Sequence, residues 1–299
     1  MADSVWVTVV VPLAMFLMML GLGTTLTPAA LAQAVKRRRP LTIGLIAQII
    51  LVPMCAAIVV CLVDMPAEFK LGLMLLACCP GGTSSNLFCH LGKGNLALSI
   101  ALTTFSSLAV LLTMPLILQV SASVIFTSGF AIDIPQLEIL KRLFFMTLLP
   151  IGVGIALAHK WPAAGEKIAR ATGPFGLAFL MALTATIVVS EWDKLLHYLP
   201  ILGSTILAFS GLILVSTGLI MIRQISDHRD RFTLFVEASI QSSALSMFIA
   251  LTVLENGSMI AIPSGMYSLS MYMVGFLLVA YHRYKDRSAN MTPRSANAR

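Results

Sequence analysis

Charge is scarce in this sequence. Only 11% of its 299 residues are charged, against 58% hydrophobic residues and a mean hydropathy of +0.92. A soluble domain carries about 25% charge, so a chain this apolar cannot cover a water-facing surface. Soluble classes are excluded, and a polytopic membrane protein is expected. The net charge of +7 is then read as loop topology and not as an affinity for nucleic acid. Catalytic signatures are missing as well. There is no H-E-x-x-H and no G-x-S-x-G. The five histidines (His90, His159, His197, His228, His282) fall in loops or at span ends, none beside a nucleophile. That argues against an intramembrane enzyme. The five cysteines make no C-x-x-C pair and have no histidine spaced to complete a zinc site. They read as small packing residues. The first apolar run lacks a basic leader, with Asp3 its only early charge, and is too long for a signal peptide. It is expected to stay as a helix.

What remains is apolar run after apolar run. A membrane helix needs roughly 20 mostly apolar residues. Spans are expected at 5–27, 40–63, 68–90, 95–120, 138–158, 168–190, 196–222, 232–255 and 259–282, with a longest loop at 121–137. Residues 1–284 form one transmembrane unit, and 285–299 read as a disordered basic cytoplasmic tail. Four basic residues, Lys70, Lys141, Arg142 and Lys194, fall on one side of this layout, and all the others of the 20 fall on the opposite side. The positive-inside rule puts that richer side, with the C-terminus, in the cytoplasm and the N-terminus outside.

Two spans are interrupted. "CCPGGTSSN" (78–86) places a proline, two glycines and four polar residues within the third. "VEASIQSSALS" (236–246) is a second polar run, within the eighth. These spans run in opposite directions, and each precedes the last helix of its half. The arrangement is that of an inverted repeat of five plus five helices with the first absent, as in secondary transporters.

Glu237 is the acidic residue that falls inside a span; the others lie in loops, at span ends or in the tails. An ionisable group at such depth costs about 2.5–3.5 kcal/mol and marks a functional site by default. Gln241 follows at i+4 on the same face. Gln48 in the second span, Ser85 and Asn86 beyond the first break, and Ser99 and Thr103 at i,i+4 in the fourth complete the polar inventory. One carboxylate among neutral amides and hydroxyls is the ligand chemistry of a hard monovalent cation such as Na⁺. A broken helix adds free carbonyls for a cation and free N–H groups for an anion.

With these residues in hand, the chain resembles the bile acid:sodium symporter family, and its short bacterial members in particular. The specific stretches are "CCPGGTSSNLFCHLGKGNLALSIALTT" (78–104) and "EASIQSSAL" (237–245). The latter has Ser239 and Ser242 where the family pattern has Gly and Asn. The resemblance implies an all-α protein with a core domain (40–120 and 196–282), a panel domain (5–27 and 138–190) and two discontinuous helices crossing in the core. It implies two Na⁺ sites. The first uses Ser85, Asn86, Ser99, Thr103 and Glu237; the second uses Gln48, Gln241, Glu237 and carbonyls near Ala238 and Ile240. Thr83, Ser84 and Ser242 would face the substrate, an organic anion such as a bile acid, pantoate or a keto acid. The expected activity is sodium-coupled import across the bacterial inner membrane by alternating access. Proton coupling through Glu237 and a passive facilitator are the rival readings.

Overall fold

The computed structural model describes residues 5–26, 28–125, 134–254 and 256–291. Among these residues the chain is helical throughout, and its one β contact is an isolated bridge. Twelve helices follow in order: α1 (Val11–Thr25), α2 (Pro28–Lys36), α3 (Arg38–Leu62), α4 (Ala67–Cys78), α5 (Thr83–Leu91) and α6 (Leu96–Ile125). Then come α7 (Gln136–Lys160), α8 (Pro162–Ser190), α9 (Trp192–Gln224), α10 (His228–Ser239), α11 (Ser243–Val253) and α12 (Gly257–Met291). Seven of these, α1 being counted with the turn before it from Thr8, are long and apolar enough to cross a membrane. The pairs α4–α5 and α10–α11 are the third and eighth expected spans, each divided by a short extended segment. Part of the expected 121–137 loop lies outside the described residues, as do 292–299. The helix α12 runs on to Met291, so the expected tail is helical up to that point.

The surface confirms what the spans face. Along α6, Leu108, Leu112, Leu116, Val120 and Val124 form an exposed i,i+4 stripe. Large side chains left bare at that spacing belong against hydrocarbon.

Helices α1, α7 and α8 pack on one another, and α4, α11 and α12 form a second close group. The α1–α7 seam is built on glycine. A side chain on Gly23 would run into the Ile151 carbonyl, and one on Gly154 into the Leu20 carbonyl. Small residues are the usual device for close helix approach in lipid, where burial of apolar surface drives nothing.

Wide π-helical turns precede three prolines: Trp6–Val10 before Pro12, Ala47–Leu51 before Pro53, and Phe144–Leu148 before Pro150. Proline has no N–H, and its ring collides with the carbonyl four residues back. One extra residue in the preceding turn relieves the collision and lets the helix continue. Pro115, Pro174, Pro200 and Pro263 sit within helices that have no such turn. Proline therefore permits the turn and does not force it. The middle turn matters most, because Gln48 lies in it.

Candidate functional site

The two interruptions meet. After Cys78 the backbone is extended at Cys79, because the residue before a proline is pushed out of the helical region. It stays extended to Gly82, and α5 begins at Thr83. The second break has neither proline nor glycine. It is held open by partners from elsewhere. Gly81 and Gln241 form an antiparallel bridge, and the Ser242 N–H donates to the Pro80 carbonyl at 2.9 Å. The Tyr267 hydroxyl donates to the Ser239 carbonyl (2.6 Å), and Gln241 Nε2 to the Ala238 carbonyl (2.9 Å). Backbone groups denied helical partners at this depth must find others, and here they do. Ser239, in place of the family's glycine, does not prevent the helix from ending there.

Glu237 lies beside the crossing and is 1% exposed. No ion pair reaches it among the described residues. Arg231, its nearest upstream cation, donates Nη2 to the Ser226 carbonyl instead (3.1 Å). The carboxylate is held by neutral donors from two helices, α3 and α6. Gln48 Nε2 of α3 lies 3.0 Å from Oε2 and also reaches the Glu237 carbonyl at 3.2 Å. Thr103 Oγ1 of α6 lies 3.1 Å from Oε2, and Ser99 Oγ bonds Oε1. Gly81 is the floor of this cluster. A Cβ there would sit 2.5 Å from Oε2, 3.1 Å from Ser85 Oγ and 3.2 Å from Gln48 Nε2.

The cluster is short of protons. Ser99 Oγ is within hydrogen-bond reach of Glu237 Oε1 and, at 2.7 Å, of Asn86 Oδ1. A hydroxyl carries one hydrogen and cannot satisfy both. Ser85 directs its own hydrogen to the Gly82 carbonyl (2.8 Å). On the other side, Gln48 Oε1 and Gln241 Oε1 are buried with no hydrogen-bond donor. Buried carbonyl oxygens are rarely left so. Oxygen ligands in surplus, with a single negative charge, are what a hard cation requires. Among the described residues there is no group of three or more His, Cys, Asp or Glu that could hold a metal ion together. Of the nine residues expected around the ions, Gln48, Asn86, Ser99, Thr103 and Glu237 form one hydrogen-bonded set. Ser85 is beside it, at Gly81. Gln241 lies across the bridge, with the Ala238 carbonyl occupied by the Gln241 amide and Ile240 in the extended segment between them.

A cavity of about 540 Å³ opens next to this cluster, walled by α1, α7 and α8 and by α5 and α6. Thr83 and Asn86 line it, with His90 and Arg170 among the other polar residues. Ser84 and Ser242 are not among its lining residues. The Ser84 hydroxyl lies 3.1 Å from the Tyr272 hydroxyl of α12. Ser242 sits behind Gly82, its Oγ 3.4 Å from where a Cβ would stand.

One polar network was not anticipated. Arg37 Nη1 contacts Asp230 (2.6 Å) and Asp227 (3.0 Å), and Asn95 Nδ2 donates to Asp230 Oδ1 (2.7 Å). The Asn95 N–H also donates to Thr233 Oγ1 (2.8 Å). This network ties the ends of α3, α6 and α10 together and buries Asp230. The hydrogen bond to Asp227 raises the Arg37 pKa above its ordinary value. Burial works against the Asp227 carboxylate, but the hydrogen bond and charge of Arg37 and the backbone N–H groups of Arg229 and Asp230 together outweigh it and lower its pKa.

Broken helices crossing beside a lone buried carboxylate, in a polytopic helical membrane protein, define the class as a secondary transporter. Residues 12–198 match the model of the Sodium Bile acid symporter family, and the chain belongs to that family. It is a family of sodium-coupled transporters and not of enzymes. The chain is 25% identical over 292 residues to the uncharacterized sodium-dependent transporter YocS of Bacillus subtilis, covering 98% of this chain and 88% of that one. It is 27% identical over 300 residues to the sodium-dependent organic anion transporter of Homo sapiens (95% and 75%). It is 28% identical over 212 residues to the hepatic sodium/bile acid cotransporter of Rattus norvegicus (69% and 58%).

Proposed function

We propose that this protein imports a small or amphipathic organic anion together with Na⁺ by alternating access. The observation that carries the proposal is the oxygen surplus at the crossing. Two cations would remove it. One would sit among Asn86, Ser99, Thr103, Ser85 and the Glu237 carboxylate. The other would sit between Gln48 Oε1 and Gln241 Oε1, with Glu237 and the carbonyls near Ala238 and Ile240. Na⁺ neutralises the buried charge, and the residues around the crossing draw together on it. The anion would occupy the neighbouring cavity with Thr83 at its inner wall, where the first N–H groups of α5 have no helical partner.

The helices α1, α7 and α8 would act as the panel and the remaining long helices as the core, and the cavity lies on the seam between them. The basic loops favour a cytoplasmic C-terminus and an external N-terminus. The names of the relatives point to organic anions, and bile acids, pantoate and 2-keto acids are the substrates to compare. The test is uptake into proteoliposomes of a bile salt, pantoate and a 2-keto acid, each with and without a Na⁺ gradient. Saturable uptake of one of them that requires Na⁺ is expected. Uptake driven by a pH gradient with Na⁺ absent would assign the coupling to a proton on Glu237. Non-saturating, gradient-independent flux would make the protein a passive facilitator.

A further inference from the structure

A second cavity, of about 380 Å³, lies between the ends of α9, α10 and α12. It shares no lining residue with the cavity beside Thr83. Its polar wall carries Arg231 and His228 of α10 and His282 and Lys285 of α12, and no Asp or Glu lines it. The two imidazoles stack with centroids 5.8 Å apart, and His282 stacks on Phe232 at 4.3 Å. The Arg231 Nε–H is buried without an acceptor in the protein. The other wall is apolar: Ile222, Phe235, Leu278 and Tyr281. Ile222 and Tyr281 are 66% and 67% exposed, and with Leu277 they continue the wall onto the surface that faces hydrocarbon.

We infer that this cavity binds an anionic phospholipid of the surrounding leaflet. Its phosphate would sit between Arg231 and Lys285, and its acyl chains along Ile222, Phe235 and Leu278. The reasons are charge and position. Two cations without a lining carboxylate would repel each other less with an anion between them. A basic pocket between membrane helices at the water boundary is a headgroup site by its chemistry. A soluble anion would have no use for the apolar wall that runs into the bilayer. Arg231 is also six residues before Glu237 on α10, so a headgroup held there bears on the helix that carries the carboxylate.

The experiment uses the full chain in detergent with lipid removed. Phosphatidylglycerol, phosphatidylcholine and inorganic phosphate are added separately, and the thermal midpoint and the lipid retained in native mass spectra are recorded. Phosphatidylglycerol should raise the midpoint and be retained, while the other two should do neither. Each cation is worth about fivefold in affinity near an anionic surface, so Arg231→Gln with Lys285→Gln should weaken phosphatidylglycerol binding about thirtyfold. Lys93→Gln, away from the cavity, should leave binding unchanged. The single variants Arg231→Gln and Lys285→Gln, each expected to lose about fivefold, serve if the double variant does not fold. Equal binding of phosphatidylcholine, undiminished binding in these variants, or an equal shift with inorganic phosphate alone would overturn the inference.

Discussion

Replacing Glu237 by Gln removes one oxygen charge and almost no volume. In the structure it is the one acidic side chain at the crossing, held by neutral groups with no ion pair among the described residues. A cation about 4 Å from the carboxylate, at an effective dielectric near 20, is stabilised by about 4 kcal/mol. Losing that interaction should weaken Na⁺ binding by roughly a thousandfold. The variant should still fold, because an amide is easier to bury than a carboxylate. The readout need not await a substrate. A ligand that binds only the native state stabilises it by RT ln(1 + [L]/Kd), about 2.7 kcal/mol at a hundredfold excess over Kd. The thermal midpoint of the parent protein should therefore rise in NaCl relative to choline chloride. Glu237→Gln should show no such rise at the same salt concentration. A variant whose midpoint still climbs with Na⁺, along a curve within threefold of the parent's, would refute the assignment of Glu237.

Three further outcomes follow from the same geometry. Gly81→Ala places a methyl group 2.5 Å from Glu237 Oε2. It should cut the Na⁺-dependent rise in midpoint by at least half while the protein still elutes as a single folded species. Thr83→Val keeps shape and removes the hydroxyl at the cavity wall. It should lower anion uptake several-fold and leave the Na⁺-dependent midpoint shift as it is; loss of that shift would contradict the separation of the two sites. Asp227 has a folded-state pKa below its ordinary value of 3.8, so its ion pair contributes stability at pH above about 4 and loses it as pH falls further. Midpoints recorded from pH 6 downward should fall with a shallower slope in Asp227→Asn than in the parent.

Much of this was legible beforehand, for identifiable reasons. The spans follow from hydropathy, because the bilayer admits only helices or closed barrels. Pro80-Gly81-Gly82 announced the first break, since no helix continues through it. Glu237 stood out because charge is costly at that depth. The rest depends on which way side chains turn. Ser84 is next to Thr83 in sequence, yet helical geometry carries it about 100° around α5 to Tyr272. The acceptor of the Gln241 amide, the Ala238 carbonyl, cannot be read from composition. The second break has no proline or glycine to announce its geometry, and its opening is held by Pro80 and Tyr267 from distant parts of the chain. Asp230 did leave a signal. It shares a helical face with Leu234 and Glu237 at i, i+4 and i+7, but with α10 taken to begin at 232 the signal fell outside the helix. The structure starts that helix at His228.

Asn86 belongs to both neighbourhoods, lining the cavity and bonded to the Ser99 hydroxyl that touches the carboxylate. Among the described residues it is the one side chain that does both. An ion leaving the crossing by way of the cavity would have to pass it, and a molecule filling the cavity would stand in that exit. Departure would then be sequential, the anion first and the ion after it. Traffic of Na⁺ across a proteoliposome membrane should slow when the transported anion saturates the exit side.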